Sequence, residues 1–234
     1  MKRSTQKEMM DLPGQPVELL AEDLHNLRII NRYLGSYRNV LRGLARLVGE
    51  QKLDRFTLLD IGTGSGDIPT VIARWARRQQ IAAQISGLEL EAVTVEEAVA
   101  QTRSFPEITI VRGDGTAPPF GAASFDFVLA SQLLHHFKDE QIIALLRTWA
   151  KLARRAIIIA DLVRHPVAYH GIRLLTHGFT RNMMTRTDAP LSVQRACTIS
   201  EWSELLRRAD VGTLRIQSMF PFRVLALIAP LNLL

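Results

Sequence analysis

A single cysteine, Cys197, stands in a chain of 234 residues. One thiol forms no internal disulfide, so a cystine-stapled secreted scaffold is excluded and a reducing cytoplasm is the expected setting. There is no run of 18 uncharged apolar residues, and no membrane-spanning helix is expected. The opening stretch, Met1 to Asp11, is polar and lacks the apolar centre of a signal peptide. Internal repeats and low-complexity linkers are absent too. The net charge is +6, yet no basic block is interleaved with aromatics and no RNA-binding signature is present. The pairs Arg77-Arg78, Arg154-Arg155 and Arg207-Arg208 fall near expected helix C-termini, where the helix dipole favours cations. A nucleic-acid partner is therefore not expected. His25, His165, His170 and His177 have no ligand spacing with acids or cysteine, so no metal is expected.

What is present is a globular composition. Apolar residues make up 47% of the chain, enough for one domain with a sizeable core. Residues 1–13 read as a frayed tail. Leu19, Leu20, Leu24, Leu27, Ile30 and Leu34 then recur at helical spacing up to Gly35. A second helix carries Val40, Leu41, Leu44, Leu47 and Val48. From Thr57 the pattern alternates: strands over 57–62, 84–90, 108–112, 125–130 and 156–161, with helices over 67–78, 92–102 and 138–152. Such alternation predicts a doubly wound α/β sheet. Residues 163–197 interrupt the rhythm and read as an insertion of short helices and loops. Ser200 is expected to cap a helix over 201–209, and two late strands follow, Arg215 to Met219 and Arg223 to Ile228.

The chain is organised around Leu58-Leu59-Asp60-Ile61-Gly62-Thr63-Gly64-Ser65-Gly66-Asp67. Strand, glycine turn and helix bring a backbone close to a ligand. The spacing is Gly-x-Gly-x-Gly rather than the Gly-x-Gly-x-x-Gly of dinucleotide sites, and no Lys-Ser/Thr follows, which excludes a P-loop. Glu89 ends the second strand, 23 residues after Gly66. The separation is close to the roughly 20 residues at which an acid meets ribose hydroxyls in a βαβ nucleotide fold. Asp114 follows the third strand, in Arg112-Gly113-Asp114-Gly115. Ser131-Gln132-Leu133-Leu134-His135-His136-Phe137 follows the fourth, and Asp161 ends the fifth. Carboxyl ends of parallel strands are where open α/β sheets bind ligands.

Together these motifs resemble the class I S-adenosylmethionine (SAM)-dependent methyltransferases, in particular the ubiquinone/menaquinone type and the small-molecule O-methyltransferases of natural-product pathways. The resemblance covers residues 50–162 by motif and 198–230 by element order. It implies a Rossmann-like seven-stranded sheet closed by an antiparallel C-terminal hairpin. It also implies an N-terminal tail and helical lid over 1–50, and a SAM-binding domain over 51–234 with a substrate cap at 163–197. The cofactor would be held by Asp60, Gly62, Thr63, Gly64, Gly66, Glu89, Leu90, Asp114, Gly115 and Ser131. His136, or else His135, would act with Asp161 in deprotonating a hydroxyl nucleophile. Arg28, Tyr33, Tyr37, Arg164 and Arg181 are candidate substrate contacts, and Arg186 and Arg195 could pair with an acceptor carboxylate or phosphate. The expected reaction is methyl transfer to a hydroxyl of a small aromatic, quinone-like or polyketide-like molecule, by a monomer or homodimer without metal. C-methylation of a quinone-like ring is the first alternative. An RNA or protein methyltransferase is a weaker one, since the Asn/Asp-Pro-Pro-aromatic motif of amino-group methylation is missing after the fourth strand. The apolar C-terminus, Val224 to Leu234, is expected to pack on the core rather than on a membrane or partner.

Overall fold

A computed structural model describes residues 1–12 and 14–230. Seven strands form one sheet: β1 (Arg55–Ile61), β2 (Ala82–Glu89), β3 (Ile108–Arg112), β4 (Phe125–Ser131), β5 (Ala153–Leu162), β6 (Gly212–Met219) and β7 (Arg223–Pro230). Their spatial order is β3-β2-β1-β4-β5-β7-β6. The first five run parallel, and β7 lies antiparallel to both β5 and β6. Strand order reverses between β1 and β4, so the crevice at their carboxyl ends is the switch point where such sheets take ligands.

The strands read as apolar runs because both faces are covered. Leu59, Val128 and Ile157 face one core, shared with Trp149, Trp202 and Leu206. The alternate residues Leu58, Phe127 and Ile158 face the other, shared with Val40, Leu44 and Ile72. The first layer is built by α5 (Asp139–Leu152) and α8 (Ile199–Ala209), the second by α2 (Ser36–Glu50) and α3 (Asp67–Gln79); α4 (Ala92–Thr102) lies between β2 and β3 in sequence. Gly43 lets α2 lie tightly on the sheet, since a Cβ there would meet Leu225 Cδ1 at 2.9 Å.

Three segments close over the carboxyl ends of the strands. These are α1 (Val17–Tyr33), the cap helices α6 (Pro166–Phe179) and α7 (Met183–Arg195), and the N-terminal dozen residues. The insertion is thus two full helices rather than short pieces. A polar set binds α1 to the cap: Asn26 donates to Thr180 and Thr185, and Thr185 donates to Asp23 at 2.6 Å. The tail is not frayed. Ser4 N bonds Gln194 O, Arg3 reaches Phe137 O and Asp139, and the Met9 and Met10 amides donate to the Asp188 carboxylate. Long-range partners of this kind leave no local pattern. The cap of α8 is Thr198, whose side chain accepts from Glu201 N, two residues earlier than Ser200 would place it. Of the C-terminal apolar stretch, residues through Pro230 belong to β7, and Leu231 to Leu234 lie outside the described residues.

Candidate active site

The glycine loop turns where β1 ends. Gly62, Gly64 and Gly66 all have positive φ, a region that side chains with a Cβ resist. At Gly66 a Cβ would also meet Thr102 Cγ2 at 2.8 Å, so the loop packs directly on α4. A cleft of about 150 Å³ lies above it, lined by Asp60, Gly62, Thr63, Gly64, Ser131 and both neighbouring histidines among others. Asp60 is buried and accepts from Thr63 Oγ1 at 2.7 Å. Burial, reinforced by Asp67 and Glu89, pushes its carboxyl up to about 8. Glu89 accepts from the amides of Gly64, Leu90 and Glu91, which aims its carboxylate across the loop. Its pKa is raised too, by burial above all. Ser131 Oγ is buried without a partner in the same cleft. Three acids, an unpartnered hydroxyl and an open glycine backbone suit a ligand that is cationic at one end and rich in hydroxyls at the other, which SAM is. Leu90 and Asp114 are exposed, and neither they nor Gly115, which accepts from Trp149 Nε1 at 2.8 Å, lines this cleft.

Asp67, read from sequence only as the start of α3, is part of the site. It accepts from Asn31 Nδ2 at 3.0 Å and from Tyr37 OH at 2.9 Å. Asn31 Oδ1 in turn accepts from Gln132 Nε2 at 2.6 Å, and Gln132 Oε1 accepts from Arg223 Nη1 at 3.0 Å. Gln132 takes φ +53°, uncommon outside glycine and a mark of strain held by its surroundings.

The histidine pair lies on a single 3-10 turn, Leu134–His136, after β4. Asp161, at the end of β5, accepts from Leu134 N and Leu162 N and pairs with His135 Nδ1 at 2.7 Å. Burial opposes its ionisation, but the His135 ring and these amides outweigh that and hold its carboxyl below the ordinary value. The sequence favours His136 as the partner of Asp161; the structure pairs Asp161 with His135. The turn puts His135 inward, 3% exposed, while His136 Nδ1 meets Asp11 Oδ2 at 2.9 Å. Glu8 on the N-terminal strap enters the same cleft, 1% exposed. Its Oε1 has no hydrogen-bond partner and lies 3.7 Å from His135 Nε2 and 3.6 Å from Arg195 Nε. Its Oε2 lies 3.8 Å from His136 Nε2. Burial pushes Glu8 up to about 7. Glu8, His135 and His136 each offer one atom within 4.8 Å of the others, the one such grouping among the described residues that could hold a metal ion.

A second, apolar cavity of about 380 Å³ adjoins the cleft under α6 and α7. The two share Leu27, Gln132, Leu162, Ala189 and Ser192 in their walls. Of the expected substrate contacts, Arg28 lines the cleft and pairs with Glu97 at 2.8 Å, and Tyr37 is held on Asp67. Tyr33 is 74% exposed, Arg181 is exposed, and Arg164 is spent on Ala196 O and Glu201; none of the three lines either space. Arg186 is spent on carbonyls of the cap, and Arg195 on the carbonyls of Gln6, His135 and His136.

The family model of the methyltransferase domain matches residues 58–156. No curated protein matches the chain significantly. Among solved structures, a SAM-dependent methyltransferase from Aquifex aeolicus superposes with TM-score 0.58 at 13% identity, over 80% of this chain and 89% of that one. Human N-acetylserotonin methyltransferase, solved in complex with SAM, gives TM-score 0.64 at 18% identity over 97% of this chain. CurJ carbon methyltransferase gives 0.66 at 14% over 93%. This chain spans 63% and 61% of those last two. Likeness at these identities speaks for the fold, and the family match speaks for the glycine loop and the strands around it. Residues 58–156 match the methyltransferase-domain family, and the fold built around them is the one these SAM-dependent methyltransferases share.

Proposed function

We propose that this enzyme methylates a hydroxyl oxygen of a small, largely apolar aromatic, quinone-like or polyketide-like molecule, with His135 as the base. The carrying observation is the His135–Asp161 pair in the wall of the cofactor cleft. SAM, when bound, supplies an electrophilic methyl on a sulfonium that departs as a neutral thioether. The leaving group needs no acid; the nucleophile needs a base. Asp161 accepts from His135 Nδ1, which fixes the tautomer and leaves Nε2 free to take the hydroxyl proton. Asp60, Gly64 and Glu89 would hold the cofactor, with Leu90, Asp114 and Gly115 on its outer side. The apolar cavity would hold the acceptor, close to the methyl through the shared wall.

A base in this position is worth roughly 10²–10⁴-fold. H135A and D161N are expected to lower turnover within that range while leaving affinity for S-adenosylhomocysteine unchanged in calorimetry. H136A is expected to retain most activity. Unchanged turnover in H135A sinks the assignment, and a product carrying the methyl on carbon moves the reaction to the ring. The reaction as proposed uses no metal: Arg195 already sets a cation against Glu8, where a metal would sit. EDTA is expected to leave activity intact. Loss that zinc or magnesium restores would make Glu8, His135 and His136 ligands instead.

A further inference from the structure

We propose that the apolar cavity is built for an acceptor bearing one oxyanion, and that Arg223 is the residue that receives it. The inference rests on the methyltransferase reading and narrows its acceptor class. Three arginines of the described residues are buried: Arg164, Arg195 and Arg223. Arg164 has Glu201 at 2.5 Å, and Arg195 has Glu8 at 3.6 Å. Arg223 is the most buried, 3% exposed, and forms no ion pair with a carboxylate among the described residues. Its Nε donates to Leu34 O at 2.7 Å and its Nη1 to Gln132 Oε1 at 3.0 Å, both neutral acceptors. Its neighbour across the sheet end, Asp161, is already occupied by His135 and two amides. Desolvation lowers the guanidinium to about 10, so it stays charged at neutral pH. Asp161 supports that charge only from beyond ion-pair distance, and a buried charge without a paired counter-ion is a standing cost to the fold. A binding site gives that cost a reason.

The location sets the chemistry. Arg223 lines a cavity whose other walls are Leu27, Ile30, Ile172, Leu175 and Val193, with few polar groups. Its strand partner Leu162 and its hydrogen-bond partner Gln132 both belong to the wall shared with the cofactor cleft. The cation therefore sits beside the transfer point, not at the far end of the acceptor. A volume of about 380 Å³ falls in the roughly 300–1,000 Å³ range of small-molecule pockets. The ligand that satisfies both halves has an apolar body and a single oxyanion next to the methylated hydroxyl: a carboxylate, or an ionised phenol or enol, beside it. The planar fork of an arginine suits such an oxygen pair.

The test uses the full chain saturated with S-adenosylhomocysteine. Calorimetry compares a 6-alkyl-2-hydroxybenzoate, its methyl ester, and an alkyl nitrophenol of matched size. Wild type is expected to bind at least one anionic probe about tenfold or more tightly than the ester. The acid and the nitrophenol separate carboxylate from phenolate recognition. In R223M the preference is expected to collapse toward unity while S-adenosylhomocysteine affinity holds. The unliganded R223M protein is expected to melt no lower than wild type, because it loses an unpaired charge. If R223M does not fold, R223K keeps the charge without the fork and is expected to cut the preference severalfold. Equal binding of acid and ester, no binding of any probe, or a preference that survives in R223M overturns the inference. Failure of wild type to bind S-adenosylhomocysteine is a different result and overturns the methyltransferase reading beneath it.

Discussion

Asp60 ends β1 with a carboxyl that burial raises to about 8 from an ordinary 3.8. Such a group stays protonated near neutral pH until a cation arrives. Binding of the cationic cofactor is therefore expected to expel a proton, and affinity to rise as pH climbs from 6 to 8. Calorimetry in buffers of different ionisation enthalpy reads the proton directly. In D60N the affinity should be lower and flat with pH; a wild type that takes up or releases no proton contradicts this account. Glu89 presents a ready-made acceptor, held by three amides. E89A is expected to weaken SAM binding by about 1.5–3 kcal/mol, the cost of losing a charged hydrogen-bond acceptor. Sequence marked both acids, because each falls at a strand's carboxyl end at a telling distance from the glycines. It did not mark which of two adjacent histidines would meet Asp161. That depends on the sense of one 3-10 turn, and neighbouring side chains on a turn face different ways.

At the scale of elements, the N-terminal strap carries a pH dependence of its own. Glu8 has an ordinary value of 4.5 and about 7 when docked. Between those values the docked strap keeps a proton that the released strap gives up, so docking loses free energy as pH rises through that window. The full difference is on the order of 3 kcal/mol. Protection factors for hydrogen exchange of residues 3–12 are expected to be high at pH 5.5 and markedly lower at pH 8, with E8Q high at both. Equal protection of wild type at the two pH values would refute this. Little of the strap was legible beforehand, since its partners are Phe137, Asp139, Asp188 and Gln194, far along the chain. The cap was legible only as an interruption. The buried side of α7 includes Thr185, Asp188 and Arg195, so no apolar stripe announces a helix there. By contrast α2 showed a clear stripe, and Gly43 is where it lies flat on β7. G43V should destabilise by overpacking, about 1–3 kcal/mol in chemical denaturation.

For the molecule as a whole, the order of strands and helices was readable because strands covered on both faces are nearly continuous apolar runs, and turns between them carry glycine, proline or acid. The two cores follow from the same alternation. Trp149 anchors one of them, fully buried, with its Nε1 on Gly115 O. W149A is expected to cost about 3–5 kcal/mol in denaturant unfolding. Cavities were not readable, because they are what several distant elements fail to fill. The chain of amides from Asp67 through Asn31 and Gln132 to Arg223 joins the two that matter. Each link has a donor end and an acceptor end, so the chain has one polarity, and a ligand that turns one amide must turn the next. Cofactor and acceptor are then expected to act as heterotropic effectors of each other. By thermodynamic reciprocity, whatever factor S-adenosylhomocysteine contributes to the affinity of an anionic acceptor, the acceptor returns to S-adenosylhomocysteine. In N31A that shared factor should shrink toward one from both directions at once.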